Sequence, residues 1–103
     1  MEPTAVRFAN AVRALADAAR RQGLQPPAFR SPPRVSGASR TLRRNRDGSV
    51  VVAVAVHDRP WAAVLGDLVE GIVVANALDG PAAAGARTAL WSALPIGPTE
   101  AAA

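Results

Sequence analysis

A small α+β domain is what this sequence predicts: a helix, then an antiparallel β-hairpin, then two helices packed on one face of the sheet. Three observations carry that reading. Apolar residues recur at three- and four-residue spacing over positions 4–22 and again over 61–76, the period of a helix with one buried side. Between them, valines at 50, 52, 54 and 56 alternate as in a strand, directly after the turn-forming Asp47-Gly48. Gly23, the proline pairs 26–27 and 32–33, Pro81 and Pro95 fall where these patterns break. A chain of 103 residues has room for one domain, read here as residues 1–95, with a Pro/Arg-rich connector at 24–38 and a flexible tail at 96–103. Half the residues are apolar but only four are aromatic, so the core must be built from Val, Leu and Ala.

The first helix places Ala5, Phe8, Val12, Leu15 and Ala19 on one side. Arg7, Arg13, Asp17, Arg20 and Arg21 fall largely opposite, with Asp17 within reach of Arg13 and Arg21 at i±4. Pro3 suits the first turn and Gly23 a C-terminal cap. The connector "LQPPAFRSPPRVSGAS" cannot continue a helix, and its prolines would break any central ladder. It reads as extended chain with a third short edge strand allowed around Phe29.

The hairpin "SRTLRRNRDGSVVVAVAVH" admits two registers. A two-residue Asp47-Gly48 loop sets Leu42 opposite Ala53. A three-residue loop, Arg46-Asp47-Gly48, with a type I turn and Gly48 left-handed, sets Leu42 opposite Val52, Arg44 opposite Val50 and Arg40 opposite Val54. The second is preferred because it joins the arm's one large apolar residue to the valine row. Shifting by one residue would exchange the two faces. In the preferred register Arg40 and Arg44 lie on the valine side and Arg43 opposite, as in an edge strand whose ends stay wet.

Asp58 is the expected N-cap of the second helix, with Pro60 in its first turn. Trp61, Val64, Leu65, Leu68, Val69, Ile72, Val73 and Asn76 follow helical spacing, leaving Asp67, Glu70 and Val74 on a solvated side. Gly66 and Gly71 interrupt this helix at a cost of roughly 0.5–1 kcal/mol each; close packing would explain them, as would codon bias. Asp79 and Pro81 open a third helix whose apolar side is Ala83, Ala86, Leu90, Trp91 and Leu94, and Pro95 ends it.

Charge is segregated along the chain. Residues 18–46 hold eight arginines and no acid, whereas 47–103 hold two arginines and six acids. All twelve basic residues are arginine, which in so Ala-, Gly- and Pro-rich a chain first reflects a GC-rich coding genome; the planar guanidinium suits phosphate whatever its origin. The chain has no cysteine, so disulfides and thiolate chemistry are excluded, in keeping with a cytoplasmic protein. The first residues lack the continuous apolar core of a signal peptide. Asp67 and Glu70 sit near the middle of the most apolar long segment, against a membrane span.

Catalytic readings find little support. His57, the one histidine, adjoins Asp58, but a Ser-His-Asp relay needs a serine across space and an oxyanion site; a polar strand end is the better account. One histidine and no cysteine are too few for structural zinc, and isolated glycines make no phosphate-cradling loop. No enzyme, metal or cofactor is expected.

The arginine run is the functional signal: Arg30, Arg34, Arg40, Arg43, Arg44 and Arg46, joined by Arg20 and Arg21, are the expected contacts to a nucleic-acid backbone, DNA or RNA. Base stacking is not expected, since Phe8, Trp61 and Trp91 occupy core-type positions and leave only Phe29 in the basic segment. The competing reading is a protein-interaction module, homodimeric or not, whose arginines address an acidic protein partner, and an edge-guarding solvated face remains the simplest account of the charge. The succession of helix, strands and helix is similar to that of double-stranded-RNA-binding domains. It departs from them where "DRPWAAV" offers Arg59 alone in place of a lysine-rich helix start, and in having a third helix, so the chain is not identified as a member.

Overall fold

The computed structural model describes residues 4–33 and 37–94. Arg34, the first-turn position at Pro3, the helix stop at Pro95 and the tail at 96–103 lie outside the described residues. The element order is α1 (Thr4–Arg21), β1 (Ala28–Arg30), β2 (Arg40–Arg44), β3 (Val50–Val54), α2 (Trp61–Ala75) and α3 (Gly80–Ala93).

Helix α1 buries Ala11, Leu15, Ala18 and Ala19, with Phe8 and Val12 packed at the rim of the core. It ends in a Schellman turn: the Gly23 N–H donates to the Arg20 carbonyl and the Leu24 N–H to the Ala19 carbonyl. Gly23 takes φ +75°, the left-handed position that glycine tolerates, and the turn swings Leu24 onto the core. Asp17 pairs with Arg20, 3.2 Å away at i+3, in place of the expected i±4 partners.

The three strands are ordered β1-β3-β2. β2 pairs antiparallel to β3 in the preferred register, Leu42 against Val52, Arg40 against Val54 and Arg44 against Val50. The three-residue loop is present: the Gly48 N–H donates to the Asn45 carbonyl, and Gly48 takes φ +88°. The Asp47 carboxylate accepts from the Ser49 hydroxyl and backbone N–H, which holds its pKa below the ordinary value. The third strand around Phe29 exists, but the sheet is mixed: β1 runs parallel to β3, Phe29 against Val52. The chain reverses between β1 and β2, so the short strand arrives in the same direction as β3.

Phe29, Leu42, Val50, Val52 and Val54 share one sheet face. Val52 and Val54 are fully buried there, and Val50, Val56 and Phe29 pack around them. α2 lies across this face against β3 and β2, and α1 and α3 pack on α2 and on each other. One core runs through all three layers, with Leu15 of α1, Val52 of β3, Leu65, Leu68 and Ile72 of α2 and Leu90 of α3 almost fully buried. As the composition requires, no aromatic side chain is fully buried among the described residues.

Three expectations are corrected. Asp58 is not the N-cap: it sits in a tight turn with φ +57°, and Pro60 occupies the cap, its carbonyl accepting the first helical N–H groups. Trp91 is 38% exposed, because Leu90 and Leu94 fill the inner side of α3. Asp67 is buried and not on a solvated side, because α2 packs against the strands there, whereas Glu70 stays partly exposed and Val74 exposed, as the spacing predicts. No helix among the described residues is long and apolar enough to cross a membrane.

Candidate nucleic-acid interface

The sheet sorts the arginines by strand alternation. Arg43 pairs with Val51 and Arg30 with Ala53, so both extend over the face away from the helices. Arg40 and Arg44 extend over the helix side, and Arg46 stands exposed in the hairpin turn. Arg34 lies outside the described residues. The linear run is therefore split between two faces and a tip.

Arg40 is engaged within the fold. Its Nη1 donates to Asp67 Oδ1 at 2.7 Å, while Arg59 Nη2 donates to Asp67 Oδ2 at 2.6 Å. Arg59 also gives Nη1 to the Ala55 carbonyl at 2.6 Å. One carboxylate, 8% exposed, thus ties β2 and the β3–α2 turn to the middle of α2. Burying a carboxylate is tolerable only with such compensation, one guanidinium on each oxygen. Two sequence features pointed here: Arg40 falls on the valine side of β2, and Gly71, one turn after Asp67, marks where α2 approaches the strands. A Cβ at Gly71 would lie 2.9 Å from Val52 Cγ1 and 3.1 Å from Phe29 Cε1.

Arg44 reaches the end of α2, its Nη2 donating to the Ala75 carbonyl at 3.4 Å. That carbonyl belongs to the helix's last turn, where partial negative charge favours a cation. Arg87 of α3 donates Nε and Nη2, one edge of its guanidinium, to the two Glu70 carboxylate oxygens, and this pairing holds the Glu70 carboxyl below its ordinary range and raises Arg87. The guanidinium of Arg7 stacks over Trp61, 4.4 Å from the ring centre.

Arg30 and Arg43, by contrast, have no hydrogen-bonding or acidic partner among the described residues. They border an open cleft of about 340 Å³ whose other walls are Ser31, Pro32, Thr41, Leu42, Val51 and Ala53, with no acid or aromatic ring among the described residues. Phe29, the one aromatic residue of the basic segment, faces the core instead. What this surface offers chemically is guanidinium forks and hydroxyls over a floor of small side chains. Comparison with known proteins returned no match to any family model, curated protein or solved structure.

Proposed function

We propose that this is a noncatalytic nucleic-acid-binding domain that holds the phosphate backbone through Arg30, Arg43, Arg44 and Arg46. The observation that carries the reading is the open sheet face with two guanidinium groups that have no partner among the described residues, adjoining an arginine-bearing hairpin tip. Arg40 is set apart because its guanidinium is bound to Asp67. With no exposed ring in the basic segment, contact is with phosphate and shape and is indifferent to base identity. The absence of cysteine is consistent with work in the reducing cytoplasm.

Salt dependence tests this reading. If these four arginines neutralise duplex phosphates, log affinity falls with log salt at a slope near about −3.6, or roughly two decades between 50 and 200 mM. Anisotropy titrations of wild type and an Arg30/Arg43/Arg44/Arg46→Ala variant measure it. No binding to DNA or RNA at 50 mM salt refutes the reading.

A second reading, an acidic protein partner, is favoured by the free edge of β2. Ser39 and Asn45 turn backbone groups toward β3, and by alternation those of Arg40, Leu42 and Arg44 point outward. Leu42 is 38% exposed there between two arginines, a setting for an extended acidic segment. Pairing of two copies along this edge would set arginine against arginine, so the reading predicts a hetero-partner. A chain that captures no acidic protein in a pull-down counts against it.

A further inference from the structure

We infer that the open sheet face contains a discrete phosphate seat, formed by the guanidinium groups of Arg30 and Arg43 and the hydroxyl of Thr41; the inference rests on the nucleic-acid reading and assigns the anchor within it. Arg30 and Arg43 stand on the two outer strands, with Ala53 and Val51 of the middle strand between them. Neighbouring strands lie about 4.8 Å apart, so the two Cα atoms are about 10 Å apart across the sheet and one alternate residue apart along it. Their long side chains rim the same cleft from opposite sides.

The small residues make this geometry useful. Val51 and Ala53 keep the floor low, so an anion can settle between the guanidinium groups instead of resting on bulky side chains. Thr41 stands on the same strand as Arg43 and pairs with Ala53, as Arg30 does from the other side, so this half-buried residue adds a hydroxyl donor to the cleft wall. Among the described residues no acid lines the cleft to compete for the guanidinium groups. Two planar forks on one tetrahedral anion can each donate two parallel hydrogen bonds, a geometry that lysine cannot reproduce. The ligand class is a phosphate group with at least two free oxygens, satisfied by a backbone phosphodiester or by free phosphate.

The experiment compares wild type with Arg30→Ala/Arg43→Ala, Arg30→Lys/Arg43→Lys and Arg44→Ala/Arg46→Ala. Each is titrated with a mixed-sequence duplex at several salt concentrations and, separately, with inorganic phosphate while the arginine Nε–H signals are followed by NMR. Thermal melting confirms folding, which the exposed Arg30 and Arg43 support through no side-chain hydrogen bond among the described residues. Expected are a loss of at least tenfold in duplex affinity for the alanine pair, a salt slope shallower by about 1.8, and only partial rescue by lysine. The Arg44/Arg46 variant loses affinity without losing the phosphate-induced shifts at Arg30 and Arg43. Wild-type duplex affinity and slope in the Arg30/Arg43→Ala variant overturn the seat while leaving nucleic-acid binding intact. If wild type binds no nucleic acid at 50 mM salt, the functional reading fails, and the phosphate titration decides the seat alone: saturable shifts at Arg30 and Arg43 support it, and their absence overturns it.

Discussion

Asp67 shows how one buried carboxylate organises its surroundings. Its two oxygens are divided between Arg40 and Arg59, whose side chains keep 32% and 22% of their exposure. Substituting Asp67→Asn keeps the shape but leaves two positive charges facing each other without a counter-ion. Breaking a buried ion pair by removing one partner costs about 3–5 kcal/mol, and the partly wet arginines place this case near about 3. Urea unfolding of the variant measures it, and a change below about 1 kcal/mol would mean that water already carries the arginines. Ala77 makes an opposite prediction. The Ala77 N–H donates to the Val74 carbonyl and the Leu78 N–H to the Val73 carbonyl, the same Schellman turn that closes α1. Here the left-handed position, φ +53°, carries alanine. Since a Cβ in that conformation costs roughly 1–2 kcal/mol and glycine adds some unfolded-state entropy, Ala77→Gly raises stability by about 1 kcal/mol in the same assay.

At the scale of elements, α2 is the piece on which the others are assembled, and its two interior glycines separate packing from coincidence. Gly71 sits where the helix meets Val52 and Phe29, so Gly71→Ala forces strand and helix apart. Overpacking of that kind costs about 1–3 kcal/mol, more than the roughly 1 kcal/mol that alanine contributes to a helix interior. Gly66 has only Trp91 Cζ2 at 4.0 Å from a built Cβ, and Gly66→Ala stabilises by about 0.5–1 kcal/mol. Thermal melts of the two variants should therefore move in opposite directions. The α2–α3 contact also carries a pH signature. Arg87 holds Glu70 ionised, lowering its pKa from 4.5, so the pair's contribution is complete above pH 4.5 and is lost as pH falls through the lowered value. Glu70→Gln consequently destabilises slightly at pH 7 and loses its effect relative to wild type as pH falls below the lowered value, as paired melting curves will show.

Over the whole molecule, the helices leave one sheet face uncovered and the unengaged arginines collect there and at the hairpin tip, which is why the proposed interaction is strongly salt-dependent. The hairpin register and Gly48's turn were legible in the sequence because the valine period, the single large apolar residue of the partner strand and the Asp-Gly step lie within 19 contiguous residues. The three helices were legible for the same reason: each repeats its apolar residues over a span that folds on itself. The parallel direction of β1 was not, since three residues between proline pairs specify an extended segment without its orientation. Asp67 was misread because a carboxylate on an apolar helix defaults to the solvent side unless a counter-ion arrives, and Arg40 arrives from 27 residues away. Composition and period by themselves thus determined an α+β chain with a small-residue core and a charged hairpin. Tertiary structure alone decided which of the described arginines are tied into the fold and which have no partner among the described residues, because ion pairing depends on which faces the chain brings together, and that is a property of the packed layers and not of any contiguous stretch.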